Sequence, residues 1–203
     1  MKVELLTYTP NMEKIIYSAG RQCYSDDNAI DIYEKADDIK IGKFIQARIN
    51  EGHDSILEHG VFTFSIEGIS RACLAQLTRH RISSYSVSSQ RYNELDNFSY
   101  VIPETIKNNQ LATEIFLDAM DFCQNWYNQL IELGIPKEDA RYVIPNACET
   151  KLVMTINCRS LRNLFKLRLD IHAQQEIRQL ANEMLKFVKQ IAPNVFYDFE
   201  VIK

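Results

Sequence analysis

The sequence lacks the features that mark membrane, secreted and metal-binding proteins. Its 203 residues contain no run of about 18 apolar residues and no charged-then-apolar leader at the N-terminus. The five cysteines are widely spaced and form no CxxC pair, so we expect reduced thiols in a cytoplasmic protein. The HExxH spacing is also missing, because His53 and His59 are six positions apart. We therefore expect no metal site.

Composition argues against two further classes of protein. The apolar fraction is 46% and the charged fraction 25%, which are ordinary globular values and exclude a disordered chain. The net charge of −4 is unlike that of a dedicated nucleic-acid binder. With no linker and no internal repeat, residues 1–203 are predicted to form a single domain.

Apolar periodicity predicts the main elements. Alternation of apolar and polar residues indicates strands at residues 61–66 and 149–158, and residues 2–7 are apolar enough for a first strand. Apolar residues at steps of three and four indicate helices at residues 38–51, 109–133 and about 172–191. Three helices are expected to begin at side-chain caps, namely Asn11, Ser70 and Ser160.

The helix at residues 109–133 carries a stripe of large apolar side chains. Phe122 and Trp126 belong to this stripe, together with leucine and isoleucine neighbours at helical spacing. A stripe of this kind is typical of core packing or of a subunit contact rather than of a cofactor site.

The stretch from Arg79 to Tyr92, RHRISSYSVSSQRY, is rich in arginine and serine. It is predicted to be a loop that follows a helix C-terminus, and it contains three arginines, five serines and no carboxylate. Guanidinium forks and hydroxyl donors suit a phosphate or another oxyanion. The alternative from composition alone is a solvated surface loop whose cations oppose a helix dipole.

Two other segments are rich in polar and titratable side chains. The first is the predicted loop from Gly52 to His59. The second runs from Asn157 to His172, where Arg168 and His172 would share a face if a helix continued across Asp170. Side chains of these types more often have a structural role, with their hydrogen bonds made within the protein, than a catalytic one. The residues alone therefore leave both a structural and a functional interpretation open.

The spacing within the basic stretch points to a known family. Arg79-His80-Arg81, seven residues and then Ser89 resembles the RHR-x7-S signature of flavin-dependent thymidylate synthases, and Gln90-Arg91-Tyr92 follows it. Further blocks resemble the same family in order along nearly the whole chain: Gly52-His53 with Glu58-His59, Ala140-Arg141 before Pro145, and the segment from Asn157 to Gln174.

The resemblance implies a fold and a reaction. The family has an α/β chain of the α+β type, in which helices flank an antiparallel sheet. It converts dUMP to dTMP with 5,10-methylenetetrahydrofolate as carbon donor, FAD as redox carrier and NADPH as reductant. It forms homotetramers with active sites between subunits, and it uses no cysteine adduct to the base.

The resemblance also implies site residues. Those expected to line FAD are His53, Ser55, Glu58, Arg79, His80, Arg81, Asn157, Asn163 and His172. Those expected to hold dUMP are Gln76, Arg79, Ser89, Gln90, Arg91, Arg141 and Arg168. Catalytic roles are expected for Arg168, which would stabilise charge on the uracil, for His53, which would order the flavin or the folate, and for Ser89.

Ser89 admits a second interpretation, as a nucleophile with His80 as its base. We favour a phosphate-binding role because its hydroxyl is surrounded by arginines, and because the GxSxG elbow of serine hydrolases is missing. A non-catalytic nucleotide binder is the other alternative.

The sequence departs from the family pattern at Ser86-Val87, where family members often have Asn-Glu. This departure places one contact to the sugar or the base in doubt.

Overall fold

The computed structural model describes residues 1–93 and 95–202. Its strands are β1 Lys2–Tyr8, β2 Val61–Ser70, β3 Ser83–Val87 and β4 Glu149–Asn157. Its α-helices are α1 Met12–Gln22, α2 Ala29–Lys35, α3 Asp38–Asn50, α4 Arg71–Leu77, α5 Glu104–Lys107, α6 Gln110–Glu132, α7 Lys137–Ala140, α8 Cys158–Arg168 and α9 Gln175–Ile191. Short 3₁₀ helices lie at Asp54–His59 and Arg141–Val143.

The strands form one antiparallel sheet in the order β1-β2-β4-β3. This arrangement confirms the α+β class. The central strands β2 and β4 alternate as predicted, since Phe62, Phe64 and Ile66 are fully buried on one face of β2. The hydroxyls of Thr63 and Thr155 form a hydrogen bond of 3.0 Å between the two central strands.

Packing divides the chain into two compact units. The first unit comprises Met1–Lys2, Ile66–Arg79 and Ser86–Leu152, and the second comprises Val3–Ser65, His80–Tyr85 and Val153–Lys203. Among the described residues of both units, no helix is long and apolar enough to cross a membrane.

The second unit is held together by an aromatic core. Phe62 packs on Phe64 and Phe196 with ring centroids 6.1 Å apart in both pairs. Phe165 on α8 meets Phe196 at 5.7 Å and Phe199 at 5.6 Å, both edge to face. Because α8 supplies Phe165 to this core, the polar residues on the same helix are carried by a firmly packed element.

The first unit has a smaller core of its own beneath α6. Phe98, Met120 and Cys148 are buried there. The large apolar residues of the α6 stripe point elsewhere: Phe122 is 57% exposed and Trp126 is 52% exposed. Their rings stack at 5.8 Å. The stripe therefore contributes little to the core of the chain.

The predicted caps have different outcomes. Ser70 caps α4 as expected, since its Oγ accepts a 2.9 Å hydrogen bond from the Cys73 amide. The prediction for Ser160 is wrong, because α8 begins earlier and Asn157 caps it by accepting from the Ser160 amide. Asn11 occupies the N-cap position of α1 as predicted, but it is left-handed and its side chain makes no capping bond and donates instead to Tyr33.

Two segments differ from the loops predicted for them, and a third answers whether a helix crosses Asp170. The basic stretch contains strand β3, and the Gly52–His59 segment contains a 3₁₀ helix. Helix α8 ends at Arg168, so the helix does not continue across Asp170, and His172 lies in the turn before α9. Arg168 and His172 therefore do not share a helical face.

Candidate active site

The first unit carries most of the residues expected to hold a nucleotide. Gln76 lies in the last turn of α4, and Arg79 is exposed just beyond that helix. The residues Ser89, Gln90 and Arg91 follow β3 directly, and Arg141 begins the short 3₁₀ helix after α7.

Glu138 joins two of the expected phosphate ligands. Its carboxylate forms an ion pair with Nε of Arg91. Its backbone carbonyl accepts a 2.9 Å hydrogen bond from Nε of Arg141. Arg91 and Arg141, which are distant in sequence, are thus held by one residue. Ser89 Oγ accepts a 3.2 Å bond from the Arg91 amide, so its own hydroxyl proton can be donated to a ligand.

Arg71 is a cation that the sequence analysis did not identify. Its Nη2 donates to the Ser88 carbonyl at 2.8 Å, and its Nε is buried with no hydrogen-bond partner among the described residues. Burial lowers the pKa of Arg71, and the nearby positive charge of Arg141 lowers it further. In the sequence, the only indication of a role for Arg71 was its position directly after the Ser70 cap. A third guanidinium thus supports the Ser88–Arg91 turn.

Cys148 lies beside the same turn. Gln90 Nε2 donates to its sulfur at 3.8 Å. Burial raises the pKa of the Cys148 thiol, although Arg71 partly opposes this effect. At neutral pH the sulfur is therefore protonated and is a weak nucleophile.

In the second unit, His80 and Arg168 form a direct pair. Arg168 Nε donates to His80 Nε2 at 3.0 Å, although the two residues are 88 positions apart in sequence. Burial and then the Arg168 charge lower the pKa of His80 to about 4. The imidazole is therefore neutral at physiological pH, with its proton on Nδ1 and its Nε2 occupied. These properties make His80 a poor general base for a serine nucleophile.

The turn that carries His80 is fixed by hydroxyl groups of the signature. Ser83 Oγ and Tyr85 OH both donate to the His80 carbonyl, at 2.5 Å and 2.8 Å. Two donors on one carbonyl oxygen restrain the chain where it enters β3. Some of the hydroxyls expected to serve a ligand therefore have a structural role.

The neutral state of His80 predicts how stability depends on pH. Its pKa falls from 6.5 to about 4 on folding. Between these values the unfolded chain binds more protons than the folded chain, so the free energy of unfolding rises with pH. We expect the wild-type melting temperature to fall more steeply on acidification across this window than that of His80→Gln, which keeps an acceptor near Arg168.

Thermal denaturation followed by circular dichroism at a series of pH values measures this difference. His59→Gln is the matched control, because His59 is exposed, and it should retain the wild-type slope. Equal slopes for wild type and His80→Gln would contradict the prediction.

The residues expected to line FAD in the second unit are mostly on its surface. Glu58 pairs with Arg159 at 2.6 Å, which ties the 3₁₀ helix to α8, and His53 Nδ1 lies 3.6 Å from Glu51. Asn157 uses its side-chain oxygen as the α8 cap. Four others are exposed: Ser55, Arg81, Asn163 and His172.

Arg81 has the chemistry that a dinucleotide requires. Its side chain is exposed, and within residues 1–93 and 95–202 it forms no ion pair. An exposed guanidinium without a carboxylate partner suits an anionic group such as a pyrophosphate. Within those ranges, no three His, Cys, Asp or Glu side chains form a group that could hold a metal ion.

The chain has an α+β fold whose basic side chains suit phosphate, and comparison with known proteins identifies its family. The family model described as thymidylate synthase complementing protein matches residues 4–194. The chain belongs to this family.

Its relatives include proteins named flavin-dependent thymidylate synthase. The one from Clostridium tetani is 45% identical over 212 residues, covering 97% of this chain and 85% of the relative. The one from Geobacter sulfurreducens is 44% identical, covering 98% of this chain and 86% of the relative. The one from Sulfolobus acidocaldarius is 41% identical, covering 97% and 75%.

Proposed function

We propose that this protein is a flavin-dependent thymidylate synthase. It converts dUMP to dTMP, with 5,10-methylenetetrahydrofolate as the one-carbon donor, FAD as the bound flavin and NADPH as the reductant. Family membership and the names of the relatives support the reaction. The structural observation that carries the proposal is the grouping of Arg91 and Arg141 through Glu138, because it provides forked donors for a nucleotide phosphate. Since the family match spans 4–194, we propose that the chain acts as one domain.

In the proposed site the first-unit residues hold dUMP. Arg91, Arg141 and the Ser89 hydroxyl bind the phosphate. Gln76, Arg79 and Gln90 supply further polar contacts. Arg168 binds the uracil and stabilises the negative charge that develops on its carbonyl when C5 becomes nucleophilic.

We assign the flavin-binding role to a set of nine residues. Its members are His53, Ser55, Glu58, Arg79, His80, Arg81, Asn157, Asn163 and His172. When bound, FAD supplies hydride transfer to the one-carbon unit. Neutral His80 keeps Arg168 oriented, and His53 orders the flavin or the folate.

The states of Cys148 and Cys158 fit a route that uses neither of them as an enzyme thiolate. Burial raises the pKa of the Cys148 thiol, and Cys158 is completely buried, with its pKa raised still more strongly by burial. Cys158 instead contacts the Met12 sulfur at 3.3 Å. A cysteine that attacked uracil would need to be an accessible thiolate, and these two are neither accessible nor ionised.

A visible absorption spectrum of the purified protein tests the proposal. We expect flavin bands that bleach with NADPH, and bleach faster or further when dUMP is added. A protein that stays colourless after FAD is added, yet binds dUMP, would instead be the non-catalytic nucleotide binder. Retained dUMP affinity with complete loss of turnover in Ser89→Ala would favour a serine nucleophile.

We also propose a homotetramer, with α6 in a subunit interface. Its stripe leaves Leu111, Ile115, Phe122 and Trp126 more than half exposed on one helical face. The spacing of these positions by four, seven and four residues places them in line. Contiguous exposed apolar patches are typical of protein interfaces. A site shared between subunits would then require this contact.

Trp126→Glu is expected to convert the tetramer to smaller species, because an unpaired carboxylate would be buried in an apolar contact. Size-exclusion chromatography with light scattering measures the mass. Ile39→Glu places the same charge at another exposed apolar residue and should leave the mass unchanged. A wild-type monomer, or an unchanged mass for Trp126→Glu, would contradict the assignment of this interface.

A further inference from the structure

Glu138 makes two different contacts with the proposed phosphate ligands. Its side chain pairs with Arg91, and its main-chain carbonyl binds Arg141. Both contacts are made to Nε, the inner nitrogen of each guanidinium. Since one residue supplies both acceptors, the separation of the two guanidiniums is set by the dimensions of that single residue.

The remaining nitrogens of both arginines are available. Among the described residues, neither Arg91 nor Arg141 donates a hydrogen bond through its Nη atoms. Each guanidinium has five N–H donors in a rigid fork, so a contact at Nε leaves four of them, all on the two Nη groups. Arg91 also lies over the Tyr92 ring, 5.6 Å from its centroid, which further restricts the plane of its fork.

The charges of this cluster do not cancel. Glu138 supplies one negative charge, whereas Arg71, Arg91 and Arg141 supply three positive charges. The excess of two matches a phosphate monoester, which carries a charge of roughly −1.5 to −2 at neutral pH. The carboxylate is therefore not a substitute for the ligand, because the cluster remains cationic with Glu138 in place.

We propose that Glu138 is a positioning residue for the nucleotide phosphate. It holds the Nε edges of Arg91 and Arg141 so that their Nη edges are presented to the same anion. This inference rests on the proposed function, since it takes the anion to be the phosphate of dUMP. Glu138 itself contacts the arginines and not the nucleotide.

The alternative is that Glu138 competes with the phosphate for Arg91. In that case dUMP would have to displace the carboxylate, and removing it would tighten binding. The contact at Nε argues against competition, because a phosphate can bind the Nη groups while Nε stays paired. The two mechanisms predict opposite changes in affinity.

The test is calorimetric titration of the flavin-loaded protein with dUMP and, separately, with deoxyuridine, which lacks the phosphate. In Glu138→Ala the long side chain of Arg91 regains its rotamers, so we expect dUMP affinity to fall about tenfold. Deoxyuridine affinity should be unchanged. Steady-state kinetics should show a higher KM for dUMP with little change in kcat.

Two further variants separate positioning from simple structural damage. Glu138→Gln keeps an acceptor of the same shape for Arg91 and should recover part of the lost dUMP affinity. Asp139→Asn removes the same charge from the neighbouring position on α7, and it should bind dUMP as the wild type does. A loss of affinity in Asp139→Asn equal to that in Glu138→Ala would indicate a general charge effect and overturn the proposal.

The other outcomes are equally decisive. Tighter dUMP binding by Glu138→Ala would establish competition instead of positioning, and unchanged binding would remove any role for Glu138. Either result overturns this inference and leaves the proposed function intact when the wild type binds dUMP and reduces its flavin. Failure of the wild type to bind dUMP would overturn both.

Discussion

Arg168→Ala is expected to reduce thymidylate formation by about 100- to 1,000-fold, the loss typical of removing one donor that stabilises a developing negative charge. Arg168 is the last residue of α8, and its Nε is held by neutral His80. Its guanidinium is thus oriented before substrate arrives. In the proposed reaction its loss weakens dUMP binding and suppresses reoxidation of the reduced flavin in the presence of the nucleotide.

The measurements are a dUMP titration followed by flavin absorbance, and turnover with all substrates. Arg168→Lys keeps the positive charge but loses the fork, so it should fall between wild type and Arg168→Ala. Lys166→Ala removes an exposed cation from the same helix and should retain wild-type turnover. An unchanged dUMP titration and unchanged turnover in Arg168→Ala would refute the assignment of this residue.

Arg168→Ala should also change the titration of His80. The Arg168 charge contributes to the low pKa of His80, after burial. Its removal should therefore raise the pKa of His80, which NMR titration of the imidazole measures. A rise in this pKa together with lost turnover would link the two residues as a functional pair.

Phe165→Ala should lower the free energy of unfolding by about 3–5 kcal/mol, the usual range for truncating a buried phenylalanine. Phe165 is fully buried, and its ring meets Phe196 and Phe199 edge to face. The loss combines apolar transfer with the cavity that remains. Because Asn163 and Arg168 lie on the same helix, the loosened packing should also reduce activity.

Urea unfolding at equilibrium measures this change. Leu167→Ala is the control on the same helix: Leu167 is 52% exposed, and we expect a change within about 0.5 kcal/mol. Phe165→Leu should lie between the two variants. Comparable stability of Phe165→Ala and Leu167→Ala would show that α8 is not anchored by the aromatic core.

Apolar periodicity predicted the strands and helices whose pattern is complete within one stretch of sequence. Strand β4 and helix α6 begin and end within one residue of their predicted limits, because alternation and helical spacing are repeated along their whole length. Strand β3 was missed, since Ser83–Val87 is rich in serine and its structure depends on pairing with β4. The α8 cap was misplaced because asparagine and serine, three residues apart, are both good capping residues.

The family resemblance named candidate site residues but not the contacts that hold them. It proposed Arg91, Arg141 and Arg168 as residues of the substrate site. It carried no information on their partners, because Glu138 and His80 meet them only through tertiary structure. The exposure of Phe122 and Trp126 was similarly open, since an apolar stripe has the same spacing in a core and in an interface.

The burial of the cysteine sulfurs affects how the protein withstands oxidation. Reduced flavins react with dioxygen to form peroxide, and peroxide oxidises thiolates far faster than thiols. Cys148 and Cys158 are protected twice, by burial and by the raised pKa of each thiol. Cys23 is exposed, so oxidative damage would begin there, directly after α1, before it reached Cys148 and Cys158.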